Sequence, residues 1–172
     1  LKPDPAFAGK KIRLFYRTVC LPQNVGRDLP AIVYLQGGPG GAGPRVLDAQ
    51  TDGWLAEAVK YFRVVLPDQR GTGRSSAVDG HRMDQLRKEA LACGADPARL
   101  QANYLKRFLA DSIVRDFEYL RLTEFGGARW VTLGQSYGGF LTLCNLSTFP
   151  HGVDASFVGG GIPHVPARAK DV

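Results

Sequence analysis

Short apolar runs recur along the chain between polar or glycine-rich segments. Residues 31–35, 62–66 and 130–133 are almost continuously apolar, which predicts strands buried on both faces of a parallel sheet. A further strand is predicted to begin at residues 156–159. Residues 11–21 instead alternate between apolar and basic side chains, which is the pattern of a half-buried strand.

Apolar residues at helical spacing fill the intervals between these strands. We expect one helix capped by Asp52, a charged helical stretch in two pieces over 79–110, a helix capped by Asp111 or Ser112, and a helix over 140–149. Strands that alternate with helices predict a doubly wound α/β sheet.

Composition narrows the class of protein. The chain has 172 residues and a net charge of +6, and this length suits about one domain. Basic residues are scattered, so we expect no nucleic-acid partner. No run reaches the roughly 18 apolar residues of a membrane span, so we expect no membrane contact. Cys20, Cys93 and Cys144 lie far apart, which indicates buried, reduced thiols in a cytoplasmic protein.

The segment Gly134-Gln135-Ser136-Tyr137-Gly138 lies between an apolar strand and an apolar helix. In that context Gly-x-Ser-x-Gly predicts a nucleophile elbow, with Ser136 exposed above the sheet on a strained backbone. Side chains at Gly134 and Gly138 would collide in so tight a turn. The alternative interpretation is a glycine-rich turn that carries an incidental serine.

Two further glycine-rich turns follow strands. Residues 36–41 can bring N–H groups close to a reacting carbonyl, so Gly38 and Tyr137 are the predicted oxyanion donors of an acyl-transfer site. The alternative for 36–41 is a phosphate-binding turn, although the Lys-Ser/Thr of a P-loop is absent. In residues 68–75 we expect Asp68 or Arg70 to pin the loop by hydrogen bonds. All three turns belong to the carboxyl edge of the sheet, where open α/β sheets bind ligands.

Taken in order, the three turns resemble the motifs of the proline iminopeptidase (prolyl aminopeptidase) family of serine α/β-hydrolases. That family carries His-Gly-Gly-Pro-Gly-Gly, Asp-Gln-Arg-Gly-x-Gly-x-Ser and Gly-Gln-Ser-x-Gly-Gly. The chain matches them except at Gln36, which stands where the histidine is usual. Residues 77–116 resemble the larger bacterial members, and the resemblance extends from about residue 11 to residue 163.

The resemblance implies an α/β-hydrolase fold that is incomplete in this chain, with the C-terminal strands and the cap absent. Residues 1–163 would form the N-terminal part of the catalytic domain, and residues 164–172 would begin the connection to the cap. The implied activity is release of N-terminal proline from small peptides by a serine nucleophile, Ser136, without a metal or other cofactor. The substrate's free amine would bind in the cap.

A serine nucleophile needs a base and an orienting acid, which follow it in this fold in the order acid, then histidine. His151 is expected to lie at the wrong end of the elbow helix, His164 comes too early in the chain, and His81 precedes the serine. We therefore expect the acid and the base beyond Val172, in the remainder of the same chain, and we expect residues 1–172 alone to be inactive. An esterase or amidase of the same fold and a catalytically inactive scaffold are the alternatives.

Overall fold

A mixed β-sheet organises the part of the chain that this computed structural model describes, which comprises residues 7, 9–48 and 53–161. Its strands are β1 (Phe15–Val19), β2 (Ala31–Leu35), β3 (Arg63–Asp68), β4 (Trp130–Gln135) and β5 (Val153–Gly159). They lie in the order β1-β3-β2-β4-β5. Strand β1 pairs antiparallel with β3, and the other neighbours are parallel.

Helices connect the parallel strands and cover the sheet. They are α1 (Gly53–Tyr61), α2 (Gly80–Ala92), α3 (Pro97–Leu105), α4 (Ala110–Glu124) and α5 (Tyr137–Thr148), with short 3-10 turns at Pro22–Asn24, Lys106–Phe108 and Pro150–Gly152. Helix α1 joins β2 to β3, and α5 joins β4 to β5. Within the described ranges, no helix is long and apolar enough to cross a membrane.

Both faces of the sheet carry apolar side chains. On β2, Ile32 packs with residues of α1, whereas Val33 packs with residues of α4 and α5. Val64 and Val65 of β3 divide between the two faces in the same way. Because successive side chains of a strand point to opposite faces, a continuous apolar run buries both of them. The predicted doubly wound, mostly parallel α/β sheet is confirmed.

The boundaries of several strands and one helix differ from the predicted ones. Strand β3 continues to Asp68, and β5 begins at Val153 rather than near residue 156. Strand β1 is confined to Phe15–Val19, inside the predicted range of 11–21. Helix α5 begins at Tyr137 instead of residue 140, because its first glycines are helical and allow it to lie close to the sheet.

Two predictions about polar groups are wrong. Helix α4 begins after Leu109, whose carbonyl accepts from Ser112 N–H and Ile113 N–H, so Asp111 lies within the first turn and no side chain caps the helix. The cysteines are not fully buried: Cys93 is exposed at the end of α2, and Cys20 and Cys144 are half-buried. The predicted cap Asp52 and the segment 164–172 lie outside the described residues.

Candidate active site

Ser136 occupies the sharp turn between β4 and α5. Its backbone has φ 57° and ψ −123°, and among the described residues it alone has a positive φ without being glycine. Such a conformation costs about 1–3 kcal/mol and persists only where the surroundings hold it. The Ser136 N–H donates to the Gly159 carbonyl at 2.7 Å, and the residue is exposed at the carboxyl edge of the sheet. The predicted strained, surface-exposed serine is confirmed.

The glycines on either side make this turn possible. A Cβ atom on Gly134 would overlap the Gly138 carbonyl, and one on Gly138 would overlap the Leu35 carbonyl of β2. Only a residue without a side chain fits where backbones approach this closely. The elbow therefore packs directly against the backbone of β2.

The loop after β2 lies directly against the elbow. A Cβ atom on Gly37 would lie 2.7 Å from the Gln135 carbonyl and 3.5 Å from the Ser136 Cβ. Gly38 follows in an exposed turn with φ 114°. Tyr137 is the first residue of α5, so its N–H has no partner within the helix. The structure thus brings the loop that carries Gly38 to the side of Ser136 and Tyr137.

The turn after β3 supports the loop after β2 by hydrogen bonds. Asp68 is fully buried, and its carboxylate accepts from Gly43 N–H at 2.9 Å and from Arg74 N–H at 2.7 Å. The Gln69 side-chain amide donates to the Gln36 carbonyl at 2.7 Å. The sequence predicted that Asp68 holds the turn, but it predicted no role for Gln69. The local pattern does not indicate which loop the Gln69 amide contacts.

Arg70 attaches the same turn to α4. Its guanidinium donates through Nε to Asp116 at 2.6 Å, forms a second, shorter bond to the same carboxylate, and donates through Nη1 to the Arg107 carbonyl at 2.7 Å. Both predicted pinning residues, Asp68 and Arg70, therefore hold the turn.

The side chains behind the elbow are kept in their neutral forms. Burial, and then the neighbouring Cys144, raises the pKa of the Tyr137 phenol. Burial, and then the Asp111 carboxylate, raises the pKa of the Cys144 thiol. Both side chains pack against the apolar cluster to which α4 contributes.

An open cavity of about 440 Å³ adjoins Ser136 on the face of the sheet that α1 covers. Its wall includes Tyr34 and Trp54, whose rings stack with centroids 5.1 Å apart. Gly159 and Gly160, at the end of β5, line the other side. The sequence does not indicate this pair, because Tyr34 of β2 and Trp54 of α1 lie far apart along the chain.

No described histidine reaches Ser136. His81 lies in the first turn of α2, where it is exposed and beside Gln85. His151 lies in the 3-10 turn that leads into β5, at the opposite edge of the sheet from the elbow. His164 falls outside the described residues. The described part of the chain therefore places no histidine beside Ser136.

Comparisons with known proteins identify the family to which this fold belongs. The family model of the alpha/beta hydrolase fold matches residues 30–167. The chain belongs to this α/β-hydrolase family. The predicted α/β-hydrolase fold is confirmed, and it is partial relative to the full-length relatives.

Two curated relatives are proline iminopeptidases. The one from Aeromonas sobria is 40% identical over 161 residues, which cover 94% of this chain and 35% of the relative. The one from Aspergillus aculeatus is 36% identical over 167 residues, which cover 93% of this chain and 34% of the relative. The predicted resemblance is confirmed, and the chain spans about a third of the length of the curated relatives it matches.

Solved structures share the same architecture. A proline iminopeptidase-related protein from Thermus thermophilus superposes with a TM-score of 0.55 at 26% identity, over 86% of this chain and 40% of that one. An esterase from Thermogutta terrifontis superposes with a TM-score of 0.56 at 17% identity, over 92% of this chain and 44% of that one. The second likeness concerns the fold alone.

Proposed function

We propose that the full-length protein is a serine peptidase that releases N-terminal proline from small peptides. The observation that carries the serine chemistry is Ser136, an exposed hydroxyl held at positive φ between a parallel strand and a helix N-terminus. Two relatives that bear the name proline iminopeptidase, at 40% and 36% identity, support the choice of substrate.

In the proposed reaction, the Ser136 hydroxyl attacks the carbonyl carbon of the N-terminal proline. A base removes the hydroxyl proton, and the carbonyl oxygen becomes an oxyanion. The N–H groups of Tyr137 and Gly38 donate to that oxyanion, and the positive end of the α5 dipole adds to their effect. The strained turn assists the reaction because it holds the Ser136 hydroxyl and the Tyr137 N–H at a fixed distance and orientation.

Collapse of the tetrahedral species breaks the peptide bond. The shortened peptide leaves as an amine with the proton that the base had taken, and proline stays attached to Ser136 as an ester. Water then attacks this ester and gives its proton to the same base, which returns the proton to the Ser136 oxygen as proline leaves. Each donor group of the site serves both steps, because the oxyanion forms at the same position twice.

The base, its acid and the groups that bind the proline amine are assigned to parts of the protein outside residues 1–172. The cavity beside Ser136, whose wall includes Trp54 and Gly160, is open rather than enclosed, which leaves room for such a base. The three free cysteines support a cytoplasmic location, because reduced thiols are typical of that compartment.

Replacement of the nucleophile tests the chemistry. In the full-length protein, Ser136→Ala should lower turnover by several orders of magnitude and abolish labelling by a fluorophosphonate probe. Ser147→Ala is the matched control, since Ser147 is an exposed serine on the same helix whose hydroxyl bonds only to Leu143. A folded Ser136→Ala protein that keeps more than about a tenth of the activity would remove Ser136 as the nucleophile.

A panel of reporters tests the substrate. We expect rapid cleavage of prolyl-4-nitroanilide, slow cleavage of its alanyl counterpart and no cleavage of the acetyl-prolyl form. Equal rates on the prolyl and acetyl-prolyl reporters would instead indicate a general amidase, and activity on esters alone would indicate an esterase. Absence of probe labelling in the full-length wild type would indicate an inactive scaffold.

A further inference from the structure

A second cavity, also of about 440 Å³, lies between the segment before β1, the turn after β3, α2 and the end of α3. Its wall, as far as the described residues form it, carries five cationic side chains and no carboxylate. They are Lys10, Lys11, Arg70, Arg82 and Arg107. We call this cavity the basic pocket. It has no part in the proposed chemistry at Ser136.

The basic pocket is separate from the cavity beside Ser136. In its wall, Arg70 pairs with Asp116 of α4, and α4 packs on the face of the sheet opposite to α1. The cavity beside Ser136 lies on the α1 face, and none of the described residues lines both cavities. The two cavities are therefore distinct sites.

The positive charge of the basic pocket is only partly balanced. Asp116 pairs with Arg70, while Glu89 lies 3.1 Å from Arg82 and 3.9 Å from Lys10. Two carboxylates beside five cations leave an excess of about three positive charges. Such an excess in a concave site favours an anionic ligand.

Three hydrogen-bond donors in the wall of the basic pocket have no acceptor among the residues that the structure describes. The side chains of Lys11 and Arg107 make no hydrogen bond or ion pair there, and Arg107 contributes only its carbonyl, which accepts from Arg70. Ser76 Oγ accepts from Arg13 N–H at 2.8 Å, but its own hydroxyl proton is given to no described residue. An ammonium, a guanidinium and a hydroxyl are groups that donate to phosphate oxygens.

Aromatic rings restrain two of the cations. The Arg107 guanidinium lies 5.8 Å from the centre of the Phe7 ring, and that of Arg82 lies 5.2 Å from the centre of the Tyr104 ring. The two rings also contact each other, with centroids 5.6 Å apart. Guanidinium groups that stack on rings lose less rotamer freedom when an anion binds, so the wall is partly organised before a ligand arrives.

We propose that the basic pocket binds a small organic phosphate, whose phosphate group accepts from Lys11, Arg107 and Ser76. A phosphate monoester carries between about 1.5 and 2 negative charges at pH 7 and has three strong acceptor oxygens. It therefore matches both the charge excess and the three free donors better than a carboxylate, which has one charge and two oxygens. A volume of about 440 Å³ also lies in the range of sites that hold small organic molecules.

Calorimetric titration of the full-length protein with glycerol 3-phosphate tests the proposal, and glycerate serves as the carboxylate counterpart. We expect one saturable site for glycerol 3-phosphate, with an affinity at least tenfold higher than that for glycerate. Binding should weaken as KCl is raised from about 0.05 M to about 0.5 M, because salt screens the attraction between the ligand and the cations.

Variants locate the binding site. Lys11→Gln combined with Arg107→Gln should weaken the binding of glycerol 3-phosphate at least tenfold. Arg107→Lys should weaken it less, because it keeps the charge and loses only the planar fork of donors. Lys88→Gln, which removes an exposed lysine of α2 outside the basic pocket, should bind as the wild type does. If the double variant does not fold, the two single glutamine variants replace it, and each should weaken binding at least threefold.

Absence of saturable binding of glycerol 3-phosphate to the full-length wild type would overturn the proposal. Equal affinities for glycerol 3-phosphate and glycerate would overturn the choice of a phosphate, and wild-type affinity in the glutamine variants would overturn the choice of site. None of these results bears on the proposed release of proline, because no step at Ser136 uses the basic pocket.

Discussion

At Ser136 the backbone conformation is imposed by its neighbours, since an isolated serine would leave φ 57° for a more stable region. The constraint comes from contacts on both sides: Gly138 lies against the Leu35 carbonyl, and the Ser136 N–H is held by Gly159. The position of the Ser136 side chain therefore depends on these backbone contacts.

Gly138→Ala tests this constraint. We expect the added methyl group to push α5 away from β2, to lower the free energy of unfolding by about 3 kcal/mol, and to reduce turnover at least a hundredfold. Urea denaturation and a prolyl reporter would measure the two effects in the full-length enzyme. Gly80→Ala is the control, because a Cβ atom there meets nothing within 4 Å and the residue is the first of a helix. Equal behaviour of the two variants would contradict the proposed packing.

The thiol behind the elbow provides a pH-dependent prediction. Because burial and the Asp111 carboxylate raise the pKa of Cys144, its reactive thiolate forms only at higher pH than that of an ordinary thiol. In iodoacetamide labelling followed by peptide mapping, the pH profile of Cys144 should lie to the alkaline side of the ordinary thiol range. Asp111→Asn should move the profile toward lower pH, whereas Asp84→Asn on α2 should not. A Cys144 profile unchanged by Asp111→Asn would remove the carboxylate as a cause.

At the scale of elements, the paired charges of Arg70 and Asp116 attach the turn after β3 to α4. Both side chains are mostly buried, with 16% and 14% of their surface exposed, so the loss of one leaves an uncompensated charge in a poorly hydrated place. Through Gln69, the attached turn also steadies the loop that carries Gly38.

We expect Asp116→Asn to lower the free energy of unfolding by about 2 kcal/mol in urea denaturation of the full-length protein. Turnover of a prolyl reporter should fall as well, because the Gly38 loop loses its support. Glu57→Gln is the control: it breaks an ion pair with Lys60 whose side chains are 61% and 53% exposed, and it should leave the unfolding midpoint close to wild type. A midpoint for Asp116→Asn as high as that of the control would show that the attachment is dispensable.

At the scale of the whole molecule, the sheet of the described residues ends at β5 with its outer edge unpaired. Phe157 of β5 is 57% exposed and Val158 is 43% exposed. Unpaired strand edges with exposed apolar residues promote association between chains. Strand β4, which leads into Ser136, is next to this edge strand, so its environment depends on how β5 is covered.

Residues 1–172 produced by themselves should therefore aggregate, melt without a sharp transition and fail to cleave a prolyl reporter. Phe157→Lys should make the isolated segment more soluble without restoring activity, because it adds a charge at the edge but supplies no base. Light scattering, circular dichroism and the reporter assay measure these properties. A monomeric segment that melts cooperatively and releases proline would contradict the prediction.

The sequence by itself determined the features that depend on neighbouring residues. Continuous apolar runs identified β2, β3 and β4, because burial on both faces leaves no alternation. The strain at Ser136 and the need for glycine at positions 134 and 138 were also predictable, since the contacts that demand them belong to one short turn and the strand beside it.

Only the tertiary structure decided which distant groups meet. Two contacts join residues more than 30 positions apart. They are the hydrogen bond from Gln69 to the Gln36 carbonyl and the ion pair of Arg70 with Asp116. Local periodicity carries no information about such partners. Packing likewise decided where α5 and β5 begin and how exposed Cys93 is. The last residues of a helix or strand are ordered only where neighbouring elements contact them.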